Sequence, residues 1–270
     1  MTAATDAQPA ATGEEPAVAL FVTCLVDLFR PEVGFATLRL LENAGCRVYV
    51  PRAQTCCGQP GYNNGDYEGA RAVARDVIRA FEQAEFVVVP SGSCAGMLIH
   101  HYPELLDGAW RDRARALAAR TWELTAFLSD VLCNLPPARP AAAPAGGQRQ
   151  AVAYHDGCAG LRELGIREQP RRLLAERGIE LRELEQPDVC CGFGGTFCAK
   201  MPAISARMAD DKLRDAVKSG AGTLVAGDLG CLIALAGRAR REGVPLSFRH
   251  VAELLDGQLE APPVGEGTRS

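Results

Sequence analysis

The chain has 270 residues, 47% of them hydrophobic and 23% charged, with a net charge of −4 and a pI near 5.7. That is enough apolar material for two lobes of roughly 100–150 residues each, and no basic excess points to nucleic acid or an anionic membrane surface as a partner. Eleven cysteines stay below the density of a disulfide-stapled secreted scaffold.

The first stretch, "MTAATDAQPAATGEEPA", lacks the charged head and apolar core of a signal peptide and reads as a tail over residues 1–16. "AVALFVTCLV" is the longest apolar run and is far shorter than a spanning helix. A cytoplasmic location is therefore expected. In that reducing compartment clustered cysteines serve metal binding or redox chemistry more often than disulfides.

"VALFVTC" reads as a strand delivering Cys24. The helical pattern "GFATLRLLENAGC" follows, then the short strand "RVYVP" and the loop "TCCGQP" with Cys56 and Cys57. A helix is predicted over 66–83, then the strand "FVVVPSGSC" ending at Cys94, and a closing helix "ELTAFLSDVL". Residues 134–150, "NLPPARPAAAPAGGQRQ", are too rich in proline to continue a helix and form the predicted linker.

The same series then recurs. "AVAYHDGC" delivers Cys158, "QPRRLLAERG" is helical, "IELREL" is a strand, and "VCCGFGG" carries Cys190 and Cys191. A helix over 199–219, the strand "TLVAGDLGC" with Cys231, and the helix "HVAELLDG" complete the copy, with a second tail predicted from residue 258. Cys24 to Cys56 and Cys158 to Cys190 are both 32 positions apart, and the copies start 134 residues apart. The predicted architecture is two tandem Rossmann-like α/β lobes, 17–133 and 151–257, with mainly parallel sheets and an origin in internal duplication. Every repeated cysteine follows a strand, at the edge where open α/β sheets bind ligands.

Four thiolates arriving from three loops suit an iron–sulfur cluster or a structural zinc ion. Neither copy contains the chelating C-x-x-C pair usual for zinc, and adjacent cysteines reach two irons of a larger cluster more readily than one tetrahedral ion. The glycine after each pair lets backbone N–H groups approach sulfur. The candidate ligands are Cys24, Cys56, Cys57 and Cys94 in one copy and Cys158, Cys190, Cys191 and Cys231 in the other. Cys46, Cys133 and Cys198 have no counterpart in the other copy; for Cys46 and Cys133 ordinary packing is expected. His155 is a further candidate as ligand or proton carrier. "GFGGT" lacks the spacing of a dinucleotide loop, and no Ser-His-Asp order, His-Glu-x-x-His or Walker lysine occurs.

The doubled Cys…Cys-Cys-Gly…Cys pattern resembles the CCG cysteine-rich domain family, which includes the cysteine-rich component of heterodisulfide reductase and iron–sulfur subunits of glycolate and glycerol-3-phosphate oxidation. "LFVTCLVDLFRPEVG", "TCCGQPGYNNGDY", "PSGSCAGM" and "CCGFGGTFCAKM" resemble more closely its lactate-utilisation branch, and the similarity runs from Ala17 to Gly257. The resemblance implies an L-lactate-oxidising oxidoreductase complex with other iron–sulfur subunits as partners. It also implies up to two cysteine-bound clusters, of the 4Fe–4S type, as cofactors. In heterodisulfide reductase each motif ends in C-x-x-C; here Ser91 and Asp228 stand where the first of those cysteines would be. That leaves four thiolates per lobe, with Ser91 and Asp228 as hydrogen-bonding neighbours or oxygen ligands. A zinc-holding docking module and a heterodisulfide-type reductase component are the alternative readings. "PSGSC" with Arg162 or Arg167 is a candidate for holding a small carboxylate.

Overall fold

The computed structural model describes residues 15–132 and 151–266. The predicted linker and the first fourteen residues lie outside them, as does Cys133.

Each half is an open, four-stranded, all-parallel sheet. In the first, β1 (Ala17–Leu20), β2 (Arg47–Tyr49), β3 (Phe86–Val89) and β4 (Thr121–Glu123) lie in the order β2-β1-β3-β4. In the second, β5 (Val152–His155), β6 (Leu181–Arg182), β7 (Thr223–Ala226) and β8 (Ser247–His250) lie in the matching order β6-β5-β7-β8. Strands β1 and β3 are apolar along their length, as burial on both faces requires; β5 and β7 are as fully buried but carry His155 and Thr223 at their ends. The order reverses beside β1 and beside β5, so each switch-point crevice opens there. The fourth strand of each sheet has no place in the reading of the sequence. "TWE" and "SFRH" are three and four residues long and run directly into helices, too short for a period of two to show.

The first half carries α1 (Cys24–Phe29), α2 (Pro31–Asn43), α3 (Gln59–Asn63), α4 (Tyr67–Phe81), α5 (Gly92–Gly96), α6 (Tyr102–Leu105), α7 (Gly108–Ala118) and α8 (Leu124–Ala126). The second carries α9 (Cys158–Glu163), α10 (Glu168–Glu176), α11 (Phe197–Lys200), α12 (Pro202–Lys218), α13 (Leu229–Glu242) and α14 (Val251–Asp256). Helix α2 begins with Pro31 at its first position and buries Val33, Ala36, Thr37, Leu40 and Leu41 along one stripe. Asp66 caps α4 by accepting from the Gly69 N–H. The helix expected over 199–219 is broken at Met201, because Pro202 starts a new one.

Side chains alternate across the first sheet. Ala19, Phe21, Val87 and Val89 enter a core whose buried residues all belong to the first half, whereas Val18 and Val88 enter a second core continuous with Val152, Leu224, Leu232 and Val251. The two halves therefore share a core. Helix α2 packs on α14 and, reciprocally, α10 packs on α8; α5 packs on α9 as α1 does on α13. Each pairing joins a helix to the partner expected of a pseudo-twofold duplication. On the α2–α14 side, Arg30 donates twice to Glu253 at 3.2 and 2.6 Å, both side chains being almost wholly buried. The tail expected from residue 258 is exposed at 258–260 but anchored at one point, where Val264 is buried and its N–H donates to the Phe248 carbonyl at 2.9 Å. Its apolar side chain finds a place beside β8 that composition alone does not reveal. Among the described residues no helix is long and apolar enough to cross a membrane.

Candidate metal centre

The eight repeated cysteines gather into two quartets at the carboxyl edges of the sheets. Cys24 opens α1 just after β1, Cys94 lies in α5 after β3, and Cys56 and Cys57 lie on the loop between β2 and α3. Cys24 Sγ and Cys56 Sγ are 3.5 Å apart, and Cys57 Sγ and Cys94 Sγ are 3.3 Å apart. Because Cys56 and Cys57 also interact, the sulfurs form an unbroken chain in the order 24, 56, 57, 94. In the second half Cys158, Cys190, Cys191 and Cys231 interact in the same order, each with the next.

The CCG loops hold this shape for local reasons. Gly58 and Gly192 follow the cysteine pairs with φ of +79° and +84°, a region costly for any residue with a Cβ. A Cβ on Gly192 would lie 2.7 Å from the Ser205 carbonyl on α12. The turn aims N–H groups at sulfur: Gly58 at Cys56 (3.5 Å), Gly192 at Cys190 (3.4 Å) and Phe193 at Cys191 (3.5 Å). In the first loop the buried Tyr102 hydroxyl donates to the Cys57 carbonyl at 2.8 Å, and Gln59 donates to the Ser93 carbonyl at 3.2 Å.

The thiols of each quartet act strongly on one another. Hydrogen bonds from Cys24 and Cys57 hold Cys56 well below the ordinary thiol range, while Cys24 and Cys57 are pushed up by the same contacts and by burial. Cys190 is likewise lowered, first by Cys158 and then by Cys191, and Cys158 and Cys191 are raised. Cys191 and then His155 pull Cys231 down to about 7, against burial. One sulfur in contact with others ionises at the expense of its neighbours, which keep their protons. Four thiolates at this spacing need a multivalent cation among them. The donor set therefore fits an iron–sulfur cluster, or a thiolate-bound metal ion, at each quartet.

Ser91 and Asp228 meet each other rather than sulfur. The Ser91 hydroxyl donates to Asp228 Oδ1 at 2.6 Å, and the Ser93 hydroxyl and N–H donate to the same oxygen at 2.8 and 3.2 Å. Both residues are buried, and both hold the same place in their own half, three residues before a cysteine. Their contact lies on the pseudo-twofold axis between the sheets. There α5 and α9 approach so closely that a Cβ on Gly92 would sit 2.8 Å from the Gly160 Cα. His155 ends β5 beside Cys191 and Cys231. Arg162 and Arg167 both donate to Asp188, at its carbonyl and its carboxylate, so neither forms a carboxylate pocket with the Ser91–Ser93 turn.

Cys46 is buried in the shared core, and burial raises its thiol to about 11. Cys198 Sγ donates to the Gly195 carbonyl at 3.2 Å. Two groups beside the axis have no sequence signal. Glu123 ends β4 and caps α8 by accepting from the Thr125 and Ala126 N–H groups, and burial raises its carboxyl to about 7. His250, at the matching end of β8, caps α14 through the Ala252 N–H and pairs with the Gly227 carbonyl at 3.0 Å. Only the next few residues, which continue into a helix, mark either as a cap.

The family model of the CCG cysteine-rich domain matches residues 18–99 and 152–236, one copy on each half. The chain is 46% identical over 244 residues to lactate utilization protein A of Geobacillus kaustophilus, covering 89% of this chain and 99% of the relative. It is 46% identical over 248 residues to the protein of that name from Macrococcus caseolyticus, covering 90% and 98%. With that from Halalkalibacterium halodurans it shares 44% identity over 244 residues, covering 89% and 97%. Two matched quartets, a duplicated sheet and full-length relatives agree: the chain belongs to the CCG cysteine-rich domain family, in its lactate utilization protein A branch.

Proposed function

We propose that this chain is an iron–sulfur subunit of an L-lactate-oxidising complex, working in the cytoplasm beside other iron–sulfur subunits. The observation that carries the reading is the pair of half-buried sulfur quartets, each assembled from three strand-end loops in the same order. Cys24, Cys56, Cys57 and Cys94 would hold one 4Fe–4S cluster, and Cys158, Cys190, Cys191 and Cys231 the other. Such clusters supply one-electron transfer. Lactate oxidation to pyruvate releases two electrons and two protons, and two one-electron centres in one chain match the electrons.

The protein's own part is to bind and tune. Backbone N–H groups of Gly58, Gly192 and Phe193 point at cysteine sulfur and stabilise added negative charge there. Burial of Cys57, Cys94, Cys191 and Cys231 keeps water from one side of each quartet. The engagement of Ser91 with Asp228 supports four-thiolate sites over the five-thiolate site of a heterodisulfide-type reductase.

The test is anaerobic purification followed by iron, acid-labile sulfide and zinc analysis and visible spectroscopy. Brown protein bleached by dithionite, with iron and sulfide for two clusters, is expected. Colourless protein with stoichiometric zinc overturns the reading in favour of a structural docking module. Reduction of the brown protein by lactate in the presence of its partner subunits then tests the place in lactate oxidation.

A further inference from the structure

The two quartets are alike in their sulfurs and unlike in what stands behind them. The last residue of β5, His155, is in register with Ala226 of β7, and Ala226 occupies the place of Val89 in the first sheet. The first-half residue at that position is Phe21, whose N–H donates to the Val88 carbonyl and whose ring packs 5.3 Å from that of Phe81. A phenyl ring therefore backs the first quartet where an imidazole backs the second. Both are wholly buried, at 0% exposure.

A buried imidazole normally has oxygen or nitrogen partners for its ring nitrogens. His250 pairs both of its nitrogens with backbone, and His100 and His101 each pair one with Glu163. His155 alone of the four histidines has no such partner at either ring nitrogen; what faces it is sulfur. One of those nitrogens lies with the sulfurs of Cys191 and Cys231 in a group spanning no more than 4.8 Å. A polar ring held without exposure, against two thiols and absent from the matching quartet, is accounted for by a bound metal centre that completes its coordination.

We propose that His155 supplies a nitrogen donor to the second centre, so that the chain carries one all-thiolate site and one mixed imidazole–thiolate site. This rests on the reading that the quartets bind metal. A neutral imidazole adds a donor without adding negative charge, in contrast to a further thiolate, so the two centres differ in donor set and not in thiolate count.

The experiment uses the full chain, reconstituted anaerobically with iron and sulfide and reduced with dithionite. Pulsed EPR of protein grown with natural or ¹⁵N-labelled histidine reads nitrogen coupling directly. A histidine ¹⁴N coupling that is replaced by ¹⁵N on labelling, and lost in His155→Phe, is expected; Phe is the residue the first half accommodates in the same place. His155→Cys, which keeps a donor at the position, is expected to retain iron while losing the nitrogen signal, and it stands in where His155→Phe does not fold. No histidine coupling in the parent protein, or equal coupling in a folded variant, overturns the proposal. Iron and sulfide analysis separates this from the functional reading. A chain holding neither defeats that reading, and cobalt(II) titration of the metal-free protein then tests His155 alone. A loss of affinity of at least about tenfold at one site in a folded variant supports the donor role; superimposable titrations overturn it.

Discussion

Replacing Asp228 with alanine separates two roles for this carboxylate. In the structure it ties the halves together: Oδ1 accepts from the Ser91 hydroxyl, the Ser93 hydroxyl and the Ser93 N–H at 2.6 to 3.2 Å, and only 6% of the residue is exposed. Hydrogen bonds to a charged acceptor contribute about 1.5–3 kcal/mol each. Three donors on one oxygen share that interaction, and in the variant the Ser91 and Ser93 hydroxyls, 3.2 Å apart, turn to each other. The Ser93 N–H is left without its acceptor, and the variant should lose about 2–4 kcal/mol. For a chain of this size that lowers the melting temperature by ~5–12 °C. Urea unfolding of the parent protein, Asp228→Asn and Asp228→Ala should give stability in that order, with iron per folded chain unchanged in all three. Loss of one centre's iron from Asp228→Ala at unaltered stability would refute the argument and make Asp228 a ligand.

Cys57→Ser and Cys191→Ser should each remove about half of the bound iron, whereas Cys46→Ser and Cys198→Ser should remove none; iron analysis after anaerobic gel filtration decides. Arg30→Met leaves the buried Glu253 carboxylate with Arg249 at 3.6 Å as its remaining cationic neighbour, and should destabilise by about 3 kcal/mol in denaturant. The double variant Arg30→Met/Glu253→Leu should recover part of that loss. Burial raises the Glu123 carboxyl from 4.5 to about 7. An acid whose pKa is higher in the folded state stabilises it below the unfolded pKa, and that contribution disappears as pH rises to the folded one. Between pH 4.5 and 7 the parent protein should therefore lose stability relative to Glu123→Gln, by about 3 kcal/mol in all. Melting curves of the pair at about pH 5 and pH 8 test this, and a constant difference refutes it.

The elements that position the cysteines are legible because each repeats. "VALFVTC" and "AVAYHDGC" have little identity, yet both put a cysteine after a short apolar run, and β1 and β5 lie where those runs are. Two cysteine pairs followed by glycine at equal spacing predict convergence at the strand ends, and the sulfurs meet there. The relation between the halves is not legible. Ser91 and Asp228 each look like a missing cysteine when read within one copy; that they touch depends on how the sheets pack, which no local period encodes. The same holds for Arg30 and Glu253, 223 positions apart. His155 stands out by type and place, but that only sulfur faces it appears once the surrounding atoms are known.

The contact between Ser91 and Asp228 has a consequence for why the two halves share one chain. In a true symmetric dimer of a single lobe, a residue on the twofold axis faces its own copy. An aspartate there would meet an aspartate, and two buried carboxylates in contact cannot both ionise; a serine would meet a serine and form a weak, uncharged pair. Fusion into a tandem chain removes that constraint. A hydroxyl donor can sit on one side of the axis and a carboxyl acceptor on the other, just as Phe21 and His155 occupy matching places behind the two quartets. A lobe expressed alone would have to pair with itself and would bring together two identical surfaces, each shaped for the other half. Duplication supplied the frame, and covalent linkage freed its halves to become complementary.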